Sequence, residues 1–143
     1  MLSNPSKYAI NAVIYLAING SESNKIGTKE ISKKLNIPSP FLAKILQTLA
    51  KKKVISSTKG PKGGFWLADH EKQAPLITII ENLDDVENFS NCFMGLKACS
   101  EEFPCPIHYA MQPFKKGLIT ELMENSIDYF SQKVINKEAF LFV

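Results

Sequence analysis

Arginine is absent from this chain of 143 residues, so all 17 of its basic side chains are lysines. Lysine acts as a point charge and lacks the two-pronged guanidinium group that binds phosphates and bases in a fixed geometry. The sequence also has no CxxC pair, and its only histidines are His70 and His108. We see no grouping of serine, histidine and aspartate that would suit nucleophilic catalysis. We therefore expect that the protein is not an enzyme, and a thiol redox enzyme in particular is disfavoured.

Long hydrophobic runs are also missing. The longest apolar stretch, residues 9–18, is interrupted by Asn11 and is too short to cross a bilayer. The first seven residues lack the charged start and apolar core of a signal peptide. We therefore expect a cytoplasmic protein that does not enter the membrane, and 45% hydrophobic residues are enough for a real core.

Charge is divided unevenly along the chain. Residues 1–70 carry 11 lysines against three acids, a net charge of +8, whereas residues 71–143 carry six lysines against 11 acids, a net charge of −5. A basic half joined to an acidic half is typical of a protein whose basic part, the head, binds a polyanion and whose acidic part has a different contact partner. Chance variation on solvated faces is the alternative explanation.

Three helices are predicted in the basic half. Apolar residues recur at helical spacing from Pro5 to Ile18, and a second helix fits Thr28–Leu35, with Thr28 as its N-cap. Ser39 is predicted to cap a third helix whose first position is Pro40, where the missing N–H is not needed. Its core-facing stripe is Leu42, Ile45, Leu46 and Leu49.

A β-hairpin is predicted after the third helix. Two β-prone runs, Val54–Thr58 and Phe65–Leu67, flank the segment 59–64, which contains three glycines, two lysines and a proline. Helix, helix, short turn, helix and basic hairpin is the order of a winged helix-turn-helix. We assign residues 1–70 to this DNA-binding region.

The second half, residues 71–143, is predicted to pack with the first as one domain. A short helix near Leu76–Leu83 is followed by an irregular stretch from Asp84 to about Pro106 and a long amphipathic helix that reaches about Val134. Pro113 implies that the long helix begins near this residue or kinks there. Apolar surface to spare makes this helix a candidate for dimerisation, although it could instead fold back onto its own head.

The recognition surface is predicted on the outer face of the third helix and at the hairpin. Gln47 can bond adenine through two hydrogen bonds, and Lys44 can reach guanine acceptors, whereas lysines on the glycine-rich turn suit phosphates or the minor groove. Any one of these lysines could simply be a solvated charge. The candidate DNA-binding residues are Thr28, Ser39, Pro40, Lys44, Gln47, Lys51, Lys59, Gly60, Lys62 and Gly63.

Three cysteines cluster in the irregular stretch. Cys92, Cys99 and Cys105 are spaced C-x6-C-x5-C, and His108 follows three residues later. An odd count without an export signal argues against disulfides, and three thiolates with an imidazole suit zinc or an iron–sulfur cluster. The absence of short CxxC knuckles favours the cluster. The alternatives are unrelated buried thiols and a histidine that ligates nothing.

Taken together, these segments resemble the IscR/NsrR-type family of winged helix-turn-helix transcription regulators, also called the BadM/Rrf-two family. Residues 8–9 and 15–17 look like the family's opening, and residues 37–49 look like its recognition unit. The most specific motif is the wing, Lys59-Gly60-Pro61-Lys62-Gly63-Gly64-Phe65, which is similar to the family's Arg-Gly-Pro-x-Gly-Gly-aromatic sequence. The resemblance covers nearly the whole chain.

The resemblance implies that Cys92, Cys99, Cys105 and His108 hold an iron–sulfur cluster. It also implies a homodimer, joined largely through the long C-terminal helices, that binds palindromic double-stranded DNA with an affinity set by the state of the cluster. Position 8 is tyrosine and not the carboxylate that some family sensors use as a ligand, which favours His108 and a [2Fe–2S] over a [4Fe–4S] cluster.

Two other positions depart from the family pattern. The gap between the first two cysteines is one residue longer than in the IscR type, and Lys59 replaces the arginine of the wing, which weakens narrow-groove contacts.

The resulting expectation is a sequence-specific DNA-binding regulator, a repressor, that is switched by this cluster. An aerobically purified sample can lack the cluster because such clusters are often lost in air. The alternative is a regulator of the same fold whose cysteines hold zinc or nothing and which responds to a small molecule or a protein partner.

Overall fold

The computed structural model describes residues 2–83 and 86–141. Residues 84 and 85, where the predicted irregular stretch begins, lie outside this range, as do residue 1 and residues 142–143. The elements in chain order are α1 (Asn4–Asn19), α2 (Thr28–Leu35), α3 (Ser39–Lys51), β1 (Ser56–Thr58), β2 (Gly64–Trp66), α4 (Asp69–Lys72), α5 (Ile77–Glu81), α6 (Glu87–Ser90), α7 (His108–Glu124) and α8 (Ile127–Ile135). The predicted mainly helical fold with a small β-hairpin is confirmed.

Helix α1 is the centre of the packing. Its start is stabilised by the Ser3 side chain, which accepts a hydrogen bond from the Ser6 backbone N–H at 3.2 Å. The helix contacts α2, α3, α5 and α8, so it is covered on several sides. Its fully buried residues are Ser6, Ala9, Ala12, Val13 and Leu16.

Helices α2 and α3 form the predicted helix-turn-helix, but both begin one residue earlier than their predicted caps imply. Gly27 is the N-cap of α2, because its carbonyl accepts from the Ile31 N–H at 3.3 Å, and Thr28 is therefore the first helical residue. The carbonyl of Pro38 likewise accepts from the Leu42 N–H at 3.1 Å, so α3 begins at Ser39. The predicted capping roles of Thr28 and Ser39 are wrong by one position. The residues before them, Gly27 and Pro38, are the N-caps, and their carbonyls accept the first hydrogen bonds of the two helices.

The hairpin is shorter than predicted and is secured by a third segment. Strands β1 and β2 pair antiparallel, with Ser57 opposite Phe65. The N–H of Phe65 also donates to the Ile26 carbonyl at 2.8 Å, and the Ile26 N–H donates back at 3.0 Å. Ile26, two residues before α2, thus fixes the hairpin to the helix-turn-helix.

The predicted long C-terminal helix is two helices. Helix α7 continues through Pro113, but it ends where Asn125 adopts an extended conformation (φ −115°, ψ 137°). Ser126 then caps α8 by accepting from the Tyr129 N–H at 3.0 Å. Helix α8 packs against α1, so this part of the chain does fold back onto the head.

A backbone bridge joins the turn between α7 and α8 to the segment between α4 and α5. The Leu76 N–H donates to the Asn125 carbonyl at 3.0 Å, and the Ile127 N–H donates to the Ala74 carbonyl at 2.9 Å. The end of α7 is therefore connected directly to the chain that leaves the hairpin.

The hydrophobic core is continuous across both halves of the sequence. Leu46 of α3, Ile80 of α5 and Ile127 of α8 belong to one cluster of buried side chains. The assignment of residues 1–70 and 71–143 to separate roles stays a prediction. Within the described residues, no helix is both long and apolar enough to span a membrane.

Candidate nucleic-acid interface and metal centre

The outer face of α3 carries the residues that the sequence singled out. Lys44, Gln47 and Lys51 are all exposed, whereas the opposite face, Leu42, Ile45, Leu46 and Leu49, is buried. Helical spacing places these three polar side chains on one exposed side because they are three to four residues apart. At the N-terminal end of the helix, Pro40 is exposed and Ser39 is half-buried. Thr28, at the start of α2, is also half-buried.

The hairpin tip exposes its two lysines, Lys59 and Lys62, to solvent. Gly60 has φ +101°, a conformation that favours glycine. At Gly63 a Cβ atom would lie 2.2 Å from the Thr58 carbonyl oxygen, so the turn closes only with glycine at this position. The glycines thus make the tight turn that carries both lysines.

A groove lies between α3 and the hairpin. Its walls include Gln47 and Lys51 from α3 and Lys59 from the hairpin, so the fold brings these three predicted residues together. Ala50 of α3 also lines the groove, and Ser57, Thr58 and Phe65 of the hairpin complete the lining. The three hairpin residues were not predicted as site residues. Strand pairing decides their position, and a sequence pattern alone does not show it.

Phe41 is a second feature that the sequence reasoning missed. Its side chain is 64% exposed on the N-terminal part of α3, one turn before Lys44. A large apolar side chain in this position costs solubility unless it contacts something. The signal was available, since Phe41 lies outside the core-facing spacing of α3.

The three cysteines converge in the segment between α6 and α7. The Sγ atoms of Cys92, Cys99 and Cys105 all lie within 4.8 Å of one another. Cys105 is buried and the other two are half-buried, and the Cys105 backbone N–H donates to the Cys99 Sγ atom at 3.4 Å. Residues up to 13 positions apart in the sequence are thus brought together by a loop with little regular structure.

His108, the first residue of α7, lies beside this group. Its Nδ1 atom is 3.2 Å from the Cys99 Sγ atom. Its Nε2 atom is on the other side of the ring, 3.1 Å from the Nε2 atom of Gln112 and 3.8 Å from the Oε1 atom of Glu101. The Gln112 amide also donates to Glu101. Sequence reasoning missed both of these residues, although Gln112 is four residues after His108 on the same helix face.

The cysteines have different acidities. Desolvation acts to raise the pKa of Cys92, but hydrogen bonds from the backbone N–H groups of Leu96 and Met94 and from the other two thiols outweigh it, and the pKa falls to about 7. The Cys105 N–H acts to lower the pKa of Cys99, but desolvation and the neighbouring thiols outweigh that effect and raise it. Cys92 therefore loses its proton before Cys99 does.

The donor set fits a soft metal centre. Thiolates and imidazole are the ligands preferred by zinc and by iron–sulfur clusters. Zn–S bonds of 2.3 Å at tetrahedral angles place sulfurs about 3.8 Å apart, so a compact group of three sulfurs suits one ion. A two-iron cluster has its ligands on both irons and needs a wider separation on one side of the group.

The family follows from a comparison with known families. The model of the Rrf2 family, described as an iron-dependent transcriptional regulator, matches residues 2–132. The chain belongs to the Rrf2 family. It is thus a transcriptional regulator of the Rrf2/IscR type, and DNA binding is the activity that fits this family. The relatives of this Rrf2-family chain are regulators and not enzymes.

Individual relatives agree with this assignment. The chain is 37% identical over 120 residues to a protein of Aquifex aeolicus described as an HTH-type transcriptional regulator, and the match covers 82% of each protein. It is 27% identical over 107 residues to the transcriptional regulator IscR of Cronobacter sakazakii, covering 75% of this chain and 65% of IscR. The chain therefore matches just under two thirds of the length of the IscR of Cronobacter sakazakii.

Solved structures show the same fold. The global cysteine regulator CymR of B. subtilis superposes with a TM-score of 0.69 at 16% identity, covering 92% of this chain and 96% of CymR. IscR of T. potens superposes with a TM-score of 0.68 at 17% identity, covering 97% of this chain and 91% of that protein. These similarities confirm the winged-helix fold of the Rrf2-family chain.

Proposed function

We propose that this protein is a cytoplasmic repressor that binds palindromic double-stranded DNA and senses its signal through a metal centre at Cys92, Cys99, Cys105 and His108. The observation that carries this proposal is that one small fold holds an exposed recognition helix with a lysine-bearing hairpin and, separately, three converged thiols with an adjacent imidazole. The first site suits a polyanion and the second suits a soft metal.

DNA recognition would use α3 in the major groove and the hairpin against the backbone. Lys44 and Gln47 offer donors for base edges, whereas Lys59 and Lys62 suit phosphates. Phe41, exposed at the N-terminal end of α3, would contact the methyl group of thymine, because apolar side chains read that group in the major groove. The proposed interface comprises these residues together with Thr28, Ser39, Pro40, Lys51, Gly60 and Gly63.

Dimerisation would use α7. This helix buries Leu122, but Tyr109, Phe114 and Met123 are 62%, 69% and 55% exposed. Three large apolar side chains on one helix favour burial against a second copy of the chain, as expected for a family that reads palindromes.

The metal centre would be an iron–sulfur cluster of the [2Fe–2S] type with three cysteine ligands and His108. Such a cluster supplies a centre that responds to iron, oxygen, nitric oxide or redox state. The iron-dependent description of the family supports iron.

The switch would depend on the connection between the cysteine segment and the head. Binding by Cys105 and His108 would hold the N-terminal end of α7, because Cys105 lies three residues before the helix begins and its carbonyl accepts from the His108 N–H at 3.0 Å. The other end of α7 is bonded to residues 74–76, which follow the hairpin. A change in the cysteine segment would therefore alter the spacing of the two recognition helices in the dimer, and half-sites about one helical turn apart are sensitive to such spacing.

A second candidate is a single zinc ion in the same site. It is favoured by the compact arrangement of the sulfurs, which suits one tetrahedral ion without movement of the loop. The regulator would then respond to a small molecule or protein partner.

Anaerobic purification followed by a visible spectrum and iron, sulfide and zinc analysis tests these candidates. Absorption above about 400 nm with iron and sulfide near two per chain is the expected result. His108→Ala should alter the spectrum, whereas His70→Ala, which removes the exposed second histidine, should not. About one zinc per chain without colour supports the second candidate. A chain that contains no metal and does not bind added metal contradicts both.

A further inference from the structure

We propose that Glu101 and Gln112 are positioning residues that present the Nδ1 atom of His108, and not its Nε2 atom, to the metal. The inference rests on the proposed metal centre and assigns a role to two side chains outside the ligand set. It begins with the orientation of one imidazole ring.

The two nitrogens of His108 face different surroundings. Nδ1 lies 3.2 Å from the Sγ atom of Cys99 and therefore faces the thiols. Nε2 faces away from them, towards Glu101 and Gln112. A metal bound among the sulfurs would thus meet Nδ1 without rotation of the ring.

A metal on Nδ1 leaves the ring proton on Nε2, where it needs an acceptor. The carboxylate of Glu101 is 3.8 Å from Nε2 and carries the charge that suits this acceptor role. Metal-bound histidines commonly donate their second N–H to a carboxylate, which fixes the orientation of the ring and strengthens it as a ligand.

Gln112 holds this carboxylate in place. Its amide nitrogen donates to the Oε1 atom of Glu101 and also to the His108 Nε2 atom, 3.1 Å away, which accepts this bond while it carries no proton. Once a metal on Nδ1 places the ring proton on Nε2, the Glu101 carboxylate replaces the amide N–H as the partner of Nε2. Glu101 is itself 73% exposed and would otherwise move freely, whereas His108 is only 15% exposed. One exposed carboxylate is thus tied to the helix that carries the histidine, one turn further along.

The test uses Co²⁺ binding to the metal-free protein under argon, followed by the thiolate-to-cobalt absorption. Removal of the group that hydrogen-bonds the second nitrogen of a metal-bound histidine lowers the affinity for the metal roughly 10- to 100-fold. We expect a loss in this range for Glu101→Ala and a smaller loss for Glu101→Gln, because its amide oxygen can still accept the N–H. Glu102→Ala is the matched control: it removes the same charge from the neighbouring exposed residue and should change affinity little.

Proton NMR of the cobalt form identifies the ligating nitrogen. In a His70→Ala background His108 is the only histidine, and Nδ1 ligation puts the Hε1 proton near cobalt while Hδ2 remains distant. Strong broadening of both protons indicates Nε2 ligation and overturns the inference, as do equal losses for Glu101→Ala and Glu102→Ala. Thiolate-to-cobalt absorption that is unchanged in His108→Ala overturns it too, but leaves a thiolate centre in place. No thiolate-to-cobalt absorption at all contradicts the proposed metal centre itself.

Discussion

The buried carboxylate of Glu71 accepts a hydrogen bond of 2.7 Å from the hydroxyl group of Ser56, fifteen residues earlier in the chain. Glu71 lies in α4 and Ser56 begins β1, so this bond ties the hairpin to the helix that follows it. The same carboxylate oxygen accepts from the Ala68 backbone N–H at 2.7 Å, which stabilises the start of α4. The Glu71 side chain therefore connects the start of β1 to the segment that follows β2.

Glu71→Ala should destabilise the fold by roughly 2 kcal/mol, because it leaves two donors in a largely buried place without their acceptor. Chemical denaturation measures the change. Ser56→Ala should cost less, since it removes a donor and leaves the carboxylate its bond to Ala68. Glu81→Ala, an exposed acid in α5, is the control, and an equal loss there would show that charge and not the bond is responsible.

Lysine substitutions should separate backbone contacts from base contacts. Lys62→Ala should weaken binding to all DNA sequences similarly and lower the slope of log affinity against log salt by about one per subunit. Gln47→Ala should instead lower discrimination between the selected operator and its single-base variants by about 1–3 kcal/mol. Fluorescence anisotropy over a salt series, with an operator obtained by selection from random DNA, measures both effects.

Lys116→Ala provides the control for these variants, because it removes the same charge from the exposed surface of α7. Its salt slope should equal that of the unaltered protein. If the salt slope of Lys62→Ala also stays unchanged, the hairpin is not part of the DNA interface.

Gly63→Ala should distort the hairpin tip. The new Cβ atom would lie 2.2 Å from the Thr58 carbonyl oxygen and 2.8 Å from the Lys59 carbonyl carbon, and neither backbone atom can move independently. We expect this strain to lower the free energy of unfolding by about 1–3 kcal/mol and to weaken DNA binding. Gly117→Ala, which adds its methyl group in open space within α7, should be stabilising by about 1 kcal/mol. Normal DNA affinity in Gly63→Ala would mean that the tip does not contact DNA.

Alkylation of the metal-free protein should follow the order of the cysteine acidities. Since the pKa of Cys92 is lowered to about 7 and that of Cys99 is raised, Cys92 should react with iodoacetamide with a midpoint near pH 7 and Cys99 only at higher pH. Peptide mass spectrometry over a pH series resolves the two sites. Reaction of Cys99 before Cys92 would contradict the hydrogen bonds described for the segment 92–99.

Phe114→Glu should convert a dimer into monomers, because it places a charge at an apolar side chain of α7 that is 69% exposed and proposed to contact the second copy. Sedimentation equilibrium measures the oligomeric state, and affinity for a palindromic operator should fall in parallel. Phe93→Glu is the matched control, since Phe93 is also an exposed aromatic residue, at 56%, but lies outside α7 in the cysteine segment. Dimers that survive Phe114→Glu would exclude Phe114 from the dimer interface.

Much of the fold could be predicted because its signals are local. The core stripe of α3, the break at Pro38 and the glycines of the hairpin each act over a few residues. The division of the C-terminal segment was missed even though Asn125 and Ser126 form a recognisable helix boundary. The extended backbone at Asn125 depends on its bond to Leu76, 49 residues earlier, and no local pattern contains that partner.

The sequence by itself determined the helix-turn-helix, the basic hairpin and the presence of three thiols with a nearby histidine, since periodicity, turn chemistry and residue type are written along the chain. Only the tertiary structure decided that Gln47, Lys51 and Lys59 share a groove, that the thiols converge within 4.8 Å and that His108 turns Nδ1 towards them. These relationships depend on packing between distant segments and on loop conformation. Both are set by the whole core and not by neighbouring residues.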